Sequence, residues 1–175
     1  MSLLKRISFI LIFLSLSINV LKADDKVSYI DIDYILTNTL AGKELLNTLK
    51  NEEEIKINKF KSNDDSFKNE EKQILAKKNL VSEKEINKEM KALQIKFQKY
   101  KKVKQKEIDD FKIKRNRNIV NFLNLINPII EKYMSDNSIY MLIDKKNVFI
   151  ANKEYDITNN LIELIDNQIK NIELE

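Results

Sequence analysis

Lys78-Asn79-Leu80-Val81-Ser82-Glu83-Lys84-Glu85 sits near the middle of 85 consecutive residues, 43–127, that contain neither glycine nor proline. That segment is rich in Lys, Glu, Leu, Ile and Asn, a composition that favours helix throughout. One straight helix of this length would be about 130 Å long, so a helical hairpin is the more economical arrangement. Two places offer a turn. Ser62-Asn63-Asp64-Asp65-Ser66 is polar enough but divides the segment unequally. The quoted stretch divides it almost evenly and supplies a capping box, in which the Ser82 hydroxyl accepts from the Glu85 amide and the Glu85 carboxylate reaches back. Equal arms pair along their whole length, which places the tip at 78–82.

The apolar spacing agrees with paired arms. Ile86, Met90, Leu93, Phe97 and Tyr100 step by 4, 3, 4 and 3, a coiled-coil seam. Beyond it Tyr100, Phe111, Phe122 and Tyr133 are 11 apart, a period that straightens a supercoil or reverses its hand. The first arm offers only a sparse seam of Leu46, Leu49, Phe60, Phe67, Ile74 and Val81. Such a thin stripe buries little area, so the arms are expected to be mobile at the tip and firmer at the base.

Outside the arm the pattern turns to strands. Val27–Ile32 reads as a strand, followed by a short helical stretch, 34–41. After Pro128 and a helical end at Met134, Ile139–Ile143 and Val148–Ala151 flank the polar turn Asp144–Asn147 and read as a β-hairpin. A last helix follows, capped by Asp156 or Thr158, with Leu161, Ile162, Ile165 and Ile169 on one face. The fold class is therefore α+β and mostly α: a small β-strand body, 24–42 and 128–175, bearing an antiparallel helical-hairpin arm, 43–127. A body of about 67 residues with three strands is marginal alone and leaves two sheet edges unpaired. Association of several chains would close the sheet.

Composition removes most enzyme classes. The 175 residues include no Cys and no His, so zinc fingers, thiol nucleophiles and imidazole-based triads are excluded. A single glycine, Gly42, excludes phosphate-cradling glycine loops. Of the 31 basic residues 28 are Lys, and Asn occurs 21 times, a skew that reads as coding bias and lowers the weight of any one Lys or Asn.

The first 23 residues have the three parts of an export signal: Lys5 and Arg6, an apolar run over 7–21, then Ala23 before Asp24 and Asp25. A run of 15 is short for a membrane span, although Leu21, large for its position, leaves an uncleaved anchor open. Cleavage after Ala23 would give a mature chain of 152 residues and lower the net charge from +4 to +1. The expected location is the periplasm, where nucleic acid is not an expected partner.

The remaining charge is unevenly spread. Residues 91–118 carry 11 basic and 3 acidic side chains, net +8, while the body segments 24–49 and 119–175 total −7. The cluster comprises Lys91, Lys96, Lys99, Lys101, Lys102, Lys104, Lys106, Lys112, Lys114, Arg115 and Arg117. These form a candidate surface for an anionic or unfolded partner, because clustered positive charges repel one another without one. Interleaved Phe97, Tyr100 and Phe111, with Val103, are candidate apolar contacts, unless they form the core of the paired arms. The pairs Asp31/Asp33 and Asp109/Asp110 raise carboxylate or metal chemistry, but the first lacks companion ligands and the second points to different sides of a helix. No catalytic residue, metal or cofactor is assigned.

Val27-Ser28-Tyr29-Ile30-Asp31-Ile32-Asp33-Tyr34-Ile35-Leu36 leads to Ala41-Gly42-Lys43, the Lys-rich helical insert follows, and Ile139–Asp144, Val148–Ala151 and Asp156-Ile157-Thr158 come after it. Taken in this order, these motifs carry a resemblance to the Skp, or OmpH-like, family of periplasmic chaperones. It implies a homotrimer whose strands form a small shared barrel, with three helical hairpins around a cavity. It also implies an ATP-independent holdase that keeps unfolded outer-membrane β-barrel proteins from aggregating. A rival reading from another class is an envelope coiled-coil spacer whose lysines bind anionic lipid or lipopolysaccharide.

Overall fold

The structure, a computed structural model, describes residues 26–170. The expected export signal, 1–23, lies outside the described residues. Strand β1 (Lys26–Ile30) leads into helix α1 (Ile32–Asn38), whose N-cap is Asp31: Oδ1 accepts from the Tyr34 amide at 2.9 Å. Helix α2 (Leu40–Ala76) follows after a single residue. That residue, Thr39, is buried, donating its hydroxyl to the Ile35 carbonyl at 2.9 Å and accepting from the Gly42 amide at 3.2 Å. The expected single stretch, 34–41, is thus two helix ends joined at a threonine cap.

Gly42 does not break the helix. It is the third residue of α2, and a Cβ there would run into the Leu36 carbonyl oxygen and lie 2.7 Å from Thr39 Oγ1. The glycine is needed for close approach between α1 and α2 rather than for an unusual backbone angle.

Helix α2 closes at Lys77, and α3 (Glu83–Asp136) opens at Ser82, whose Oγ accepts from the Glu85 amide at 3.3 Å. Among the described residues the return bond from Glu85 is not formed, so half of the capping box is present. Helix α3 runs through Pro128 and ends two residues past the expected Met134. A proline inside a helix removes one backbone hydrogen bond, and here that loss falls where α3 lies against the body core, between the buried Ile126 and Ile129. Ser138, just past the helix, takes the left-handed conformation at φ 55°, the usual way of ending a helix sharply.

The sheet corrects the expected β-hairpin. Strand β2 (Ile139–Asp144) pairs with β1 in parallel, Val27 opposite Met141 and Ile30 opposite Asp144. Parallel strands need a long crossover, and the whole arm is that crossover. Val148–Ala151 does not form a third strand. Asp144 caps a 3₁₀ turn (Lys145–Asn147) that turns the chain away from β2, and Phe149 and Ile150 emerge fully or largely exposed. A second 3₁₀ turn (Lys153–Tyr155) brings Asp156 beside Tyr29 on the other edge of β1. The outer edge of β2 has no strand partner among the described residues.

Helix α4 (Thr158–Gln168) closes the body. The expected cap at Asp156 or Thr158 is not formed: the N-cap position is Ile157, which has no capping side chain, and the Asp156 carboxylate accepts from the Thr158 amide at 3.0 Å from one residue earlier. Leu161, Ile165 and Ile169 are buried with Ile162 packed beside them, as the spacing predicts. Asp166 on α4 also accepts from the Leu40 amide at 2.7 Å, and Thr158 Oγ1 from the Asp31 amide at 3.0 Å. The C-terminal helix thereby ties down the starts of both α1 and α2. Every helix and strand contributes to one core, from Ile30, Ile35 and Leu45 to Phe122, Ile126, Ile139 and Leu161.

Candidate functional site

The arm is α2 and the arm-length part of α3, facing each other with sequence order reversed. Four ion pairs fix the facing: Lys77–Glu89 at 3.0 Å, Glu70–Lys96 at 2.6 Å, Lys59–Glu107 at 2.8 Å and Glu52–Lys114 at 2.9 Å. On each helix the positions are spaced 7, 11 and 7 residues apart. Steps of 7 and 18 residues return an α-helix to within about 20° of its starting angle, so the four pairs form a ladder along one edge of the arm.

The opposite edge carries aromatic groups and is bridged at one point, by Lys104 and Asp64, beside a groove. Phe67 of α2 meets Phe97 of α3 edge to face at 5.2 Å, and Tyr100 lies 5.1 Å from Phe67. Tyr100 donates its hydroxyl to the Phe60 carbonyl at 3.1 Å. Lys104 binds Asp64 at 2.7 Å while its ammonium lies over the Phe60 and Tyr100 rings. That bond to Lys104 holds the Asp64 carboxyl below its ordinary value and raises Lys104 above its own. Desolvation first, then Asp64, pushes the Tyr100 hydroxyl up. On the ladder edge Lys59 likewise lowers Glu107. Beside the aromatic cluster runs a groove of about 950 Å³ between the two helices.

Two apolar clusters hold the arm, one at each end. The body core reaches up to Leu49 and Phe111, and a separate cluster of Ile74, Ile86 and Leu93, with Phe67, Val81 and Met90, closes the tip. The apolar seam lapses in the middle of the arm rather than at the tip. Phe60, capped by Lys104, is the buried apolar residue between the clusters.

The structure sorts the eleven basic residues into separate roles. Lys96 and Lys114 are rungs of the ladder, Lys104 holds Asp64, and Lys112 lies 3.9 Å from Asp109 on its own helix. Lys101 sits over the Phe97 ring at 5.6 Å. Lys91, Lys99, Lys102, Lys106, Arg115 and Arg117 are exposed. Lys99, Lys102 and Lys106 share the back of α3 with half-exposed Ile95 and Ile113. The +8 of residues 91–118 also faces a segment, 48–75, with 6 basic and 7 acidic residues, so the paired region carries +7. Phe97 and Tyr100 are half-buried in the groove wall, Phe111 packs onto the body core, and Val103 points to solvent.

Three of the four paired carboxylates have structural work. Asp31 caps α1 and lies 3.5 Å from Lys145, and Asp33 binds Lys146 at 2.7 Å. Asp109 accepts from Gln105 at 3.0 Å. Among the described residues no group of three or more potential metal ligands converges, and no helix is long and apolar enough to cross a membrane.

The sequence pattern of the family described as outer membrane protein (OmpH-like) matches residues 26–165. This chain belongs to the OmpH-like family. No curated protein matches it. The fold of this OmpH-like chain is that of a candidate outer membrane chaperone (OmpH-like) from Caulobacter crescentus CB15, with a TM-score of 0.77 at 19% identity over 85% of this chain and 88% of the other.

Composition alone missed the acidic half of the ladder in the OmpH-like arm. The signal was present: Glu52, Lys59, Glu70, Lys77 and Glu89, Lys96, Glu107, Lys114 alternate in charge at identical spacing, so that reversing one series makes it complement the other.

Proposed function

We propose that this OmpH-like chain is an ATP-independent periplasmic holdase, without catalytic activity, that binds unfolded outer-membrane β-barrel proteins and works as a homotrimer. The observation that carries the reading is the arm itself. Helices of 37 and 54 residues project basic side chains and half-buried aromatics away from a small body. Family membership supports the chaperone role. Many weak ionic and apolar contacts suit clients that share no fixed structure.

Association is supported by what the body leaves uncovered. Among the described residues the outer edge of β2 is unpaired, Tyr140 and Met141 beside it are more than half exposed, and Phe149 and Ile150 stand clear of the core. An unpaired strand edge next to exposed apolar side chains favours pairing with another chain. The export signal expected over residues 1–23 would place this surface in the periplasm.

The test is sedimentation of residues 24–175 with and without an unfolded outer-membrane protein, together with light scattering of the client. The expected result is a trimer that takes up client and suppresses its aggregation, with capture weakening as salt rises. A monomer that ignores the client would refute both the trimer and the holdase.

A further inference from the structure

The two edges of the arm differ in chemistry. The ladder edge is closed by ion pairs between its own helices. The other edge leaves a groove of about 950 Å³ whose floor is Phe67, Met90, Leu93 and Phe97, and whose rim carries Lys68, Lys91, Lys101 and Lys104 against Asp64 and Glu71. Asp64 is already taken by Lys104, and Lys68 is 3.4 Å from Asp65. Lys91 and Lys101 make no ion pair among the described residues, so the rim presents net positive charge above an apolar floor.

We infer that this groove is a discrete docking site for one extended, acidic peptide segment bearing aromatic side chains. The inference deepens the holdase reading and rests on it for the source of the segment, an unfolded client. From Met90 to Ile108 the groove follows α3 for about 27 Å at 1.5 Å per residue, which an extended segment of about eight residues spans at 3.3 Å each. Alternate side chains of such a segment point to opposite sides, so one set enters the floor between Phe67 and Phe97. The acidic set meets the lysine rim. Aromatic side chains suit this floor because Phe67, Phe97 and Tyr100 already stack at 5 to 6 Å and expose further ring surface. Charge complementarity selects an acidic segment and disfavours a basic one. The back of α3, where Lys99 and Lys106 lie with no facing helix among the described residues, has similar charge but no floor. Affinity should therefore depend on position as well as on total charge.

The probe is a fluorescein-labelled octapeptide of alternating Phe and Asp, titrated by anisotropy at 150 mM salt against the full mature chain. Lys91→Glu with Lys101→Glu is compared with Lys99→Glu with Lys106→Glu, an identical change in net charge at exposed sites outside both the ladder and the groove. Far-UV circular dichroism checks that both remain helical. The expected result is saturable binding, weakened about tenfold or more by the groove pair and less than twofold by the back pair, and lost when Lys replaces Asp in the peptide. Equal losses from the two pairs would overturn the site in favour of diffuse electrostatics, and absence of saturable binding to the unaltered protein would overturn it outright. Suppression of client aggregation is measured on the same samples. A protein that suppresses aggregation without binding the octapeptide keeps the holdase and loses the groove; one that binds the octapeptide without suppressing aggregation does the reverse.

Discussion

Phe122→Ala separates the part of the molecule that holds the fold from the part that meets partners. Phe122 has no exposed surface and lies where the arm enters the body, in a cluster with Leu45 and Leu49 of α2, Ile126 of α3 and Leu161 and Ile165 of α4. Burying such a ring contributes about 1.5–3 kcal/mol by transfer alone. The side chains around it come from several elements and cannot all collapse inward, so a cavity remains and the full cost is about 3–5 kcal/mol. For a domain of this size each kcal/mol lowers the melting temperature by about 2–4 °C, giving a fall of about 6–20 °C. Phe97→Ala, in the half-buried groove wall, should cost about 1 kcal/mol and lower the melting temperature by no more than a few degrees. The assay is thermal melting by circular dichroism at fixed protein concentration, because association would make the midpoint concentration-dependent, with octapeptide binding measured in parallel. Phe122→Ala should lose stability and keep binding below its lowered midpoint; Phe97→Ala should do the opposite. A Phe122→Ala cost under 1 kcal/mol, or equal costs at both positions, would refute the assignment of a single core at the arm's base.

Gly42→Ala should destabilise by about 1–3 kcal/mol, through a clash of the new methyl group with the Leu36 carbonyl, even though alanine is the better helix former; a neutral or stabilising urea midpoint would contradict the packing. Lys114→Glu places like charge opposite Glu52 and should cost about 0.5–1 kcal/mol, since both partners are about one-third exposed. Adding Glu52→Lys should recover most of that loss in a double-mutant cycle, and no coupling would mean that the ladder does not hold the facing. Asp64 and Glu107 sit below their ordinary values of 3.8 and 4.5 because of Lys104 and Lys59. Their contribution is therefore complete above those values and lost as pH falls through the lowered ones. Lys104, raised from 10.5, contributes below that value and stops contributing as pH rises through its raised one. The urea midpoint should be flat from about pH 5 to 10 and fall toward pH 3, with a smaller acid drop in Asp64→Asn; an identical drop in that variant would assign the acid effect elsewhere.

Helical elements were legible wherever local chemistry decides them. The Ser82 cap is written in four residues, and the step of Ile86, Met90, Leu93 and Phe97 fixes the inner face of α3 without knowledge of its partner. The α4 face of Leu161 and Ile165 is equally local. Both strands were legible as apolar runs, but their pairing was not, because apolar runs around a short polar turn have the same pattern whether the second run folds back or leaves the surface. At Val148–Ala151 the deciding fact is non-local: β1 arrives beside β2 from more than 100 residues away, and Asp144 spends its side chain on turning the chain outward. Gly42 shows the same limit in reverse. Its rarity suggested a boundary, whereas its role is set by a carbonyl six residues earlier that only the folded chain brings close. For the candidate site, position along the chain identified the basic stretch but could not tell Lys114, a rung of the ladder, from Lys101 on the groove rim. That distinction needs the facing helix.

The ladder also explains how an arm with so thin an apolar seam keeps one register. Sliding the helices by one heptad in one direction would set Glu52 against Glu107 and Glu70 against Glu89. Sliding them the other way would set Lys59 against Lys114 and Lys77 against Lys96. Each rung contributes little where it stands, since exposed pairs are worth about 0–1 kcal/mol. Each slip replaces attraction by repulsion at two rungs at once, and flanking charges are a known determinant of partner and orientation in coiled coils. The pattern acts mainly against wrong alignments and only weakly in favour of the right one. Apolar residues in the middle of the seam would have tightened the arm, but a repeating apolar stripe distinguishes poorly between registers a heptad apart. Fixing the register with charge on one edge leaves the aromatic residues of the other edge half-buried, aligned and unclosed, which is the condition the proposed groove requires.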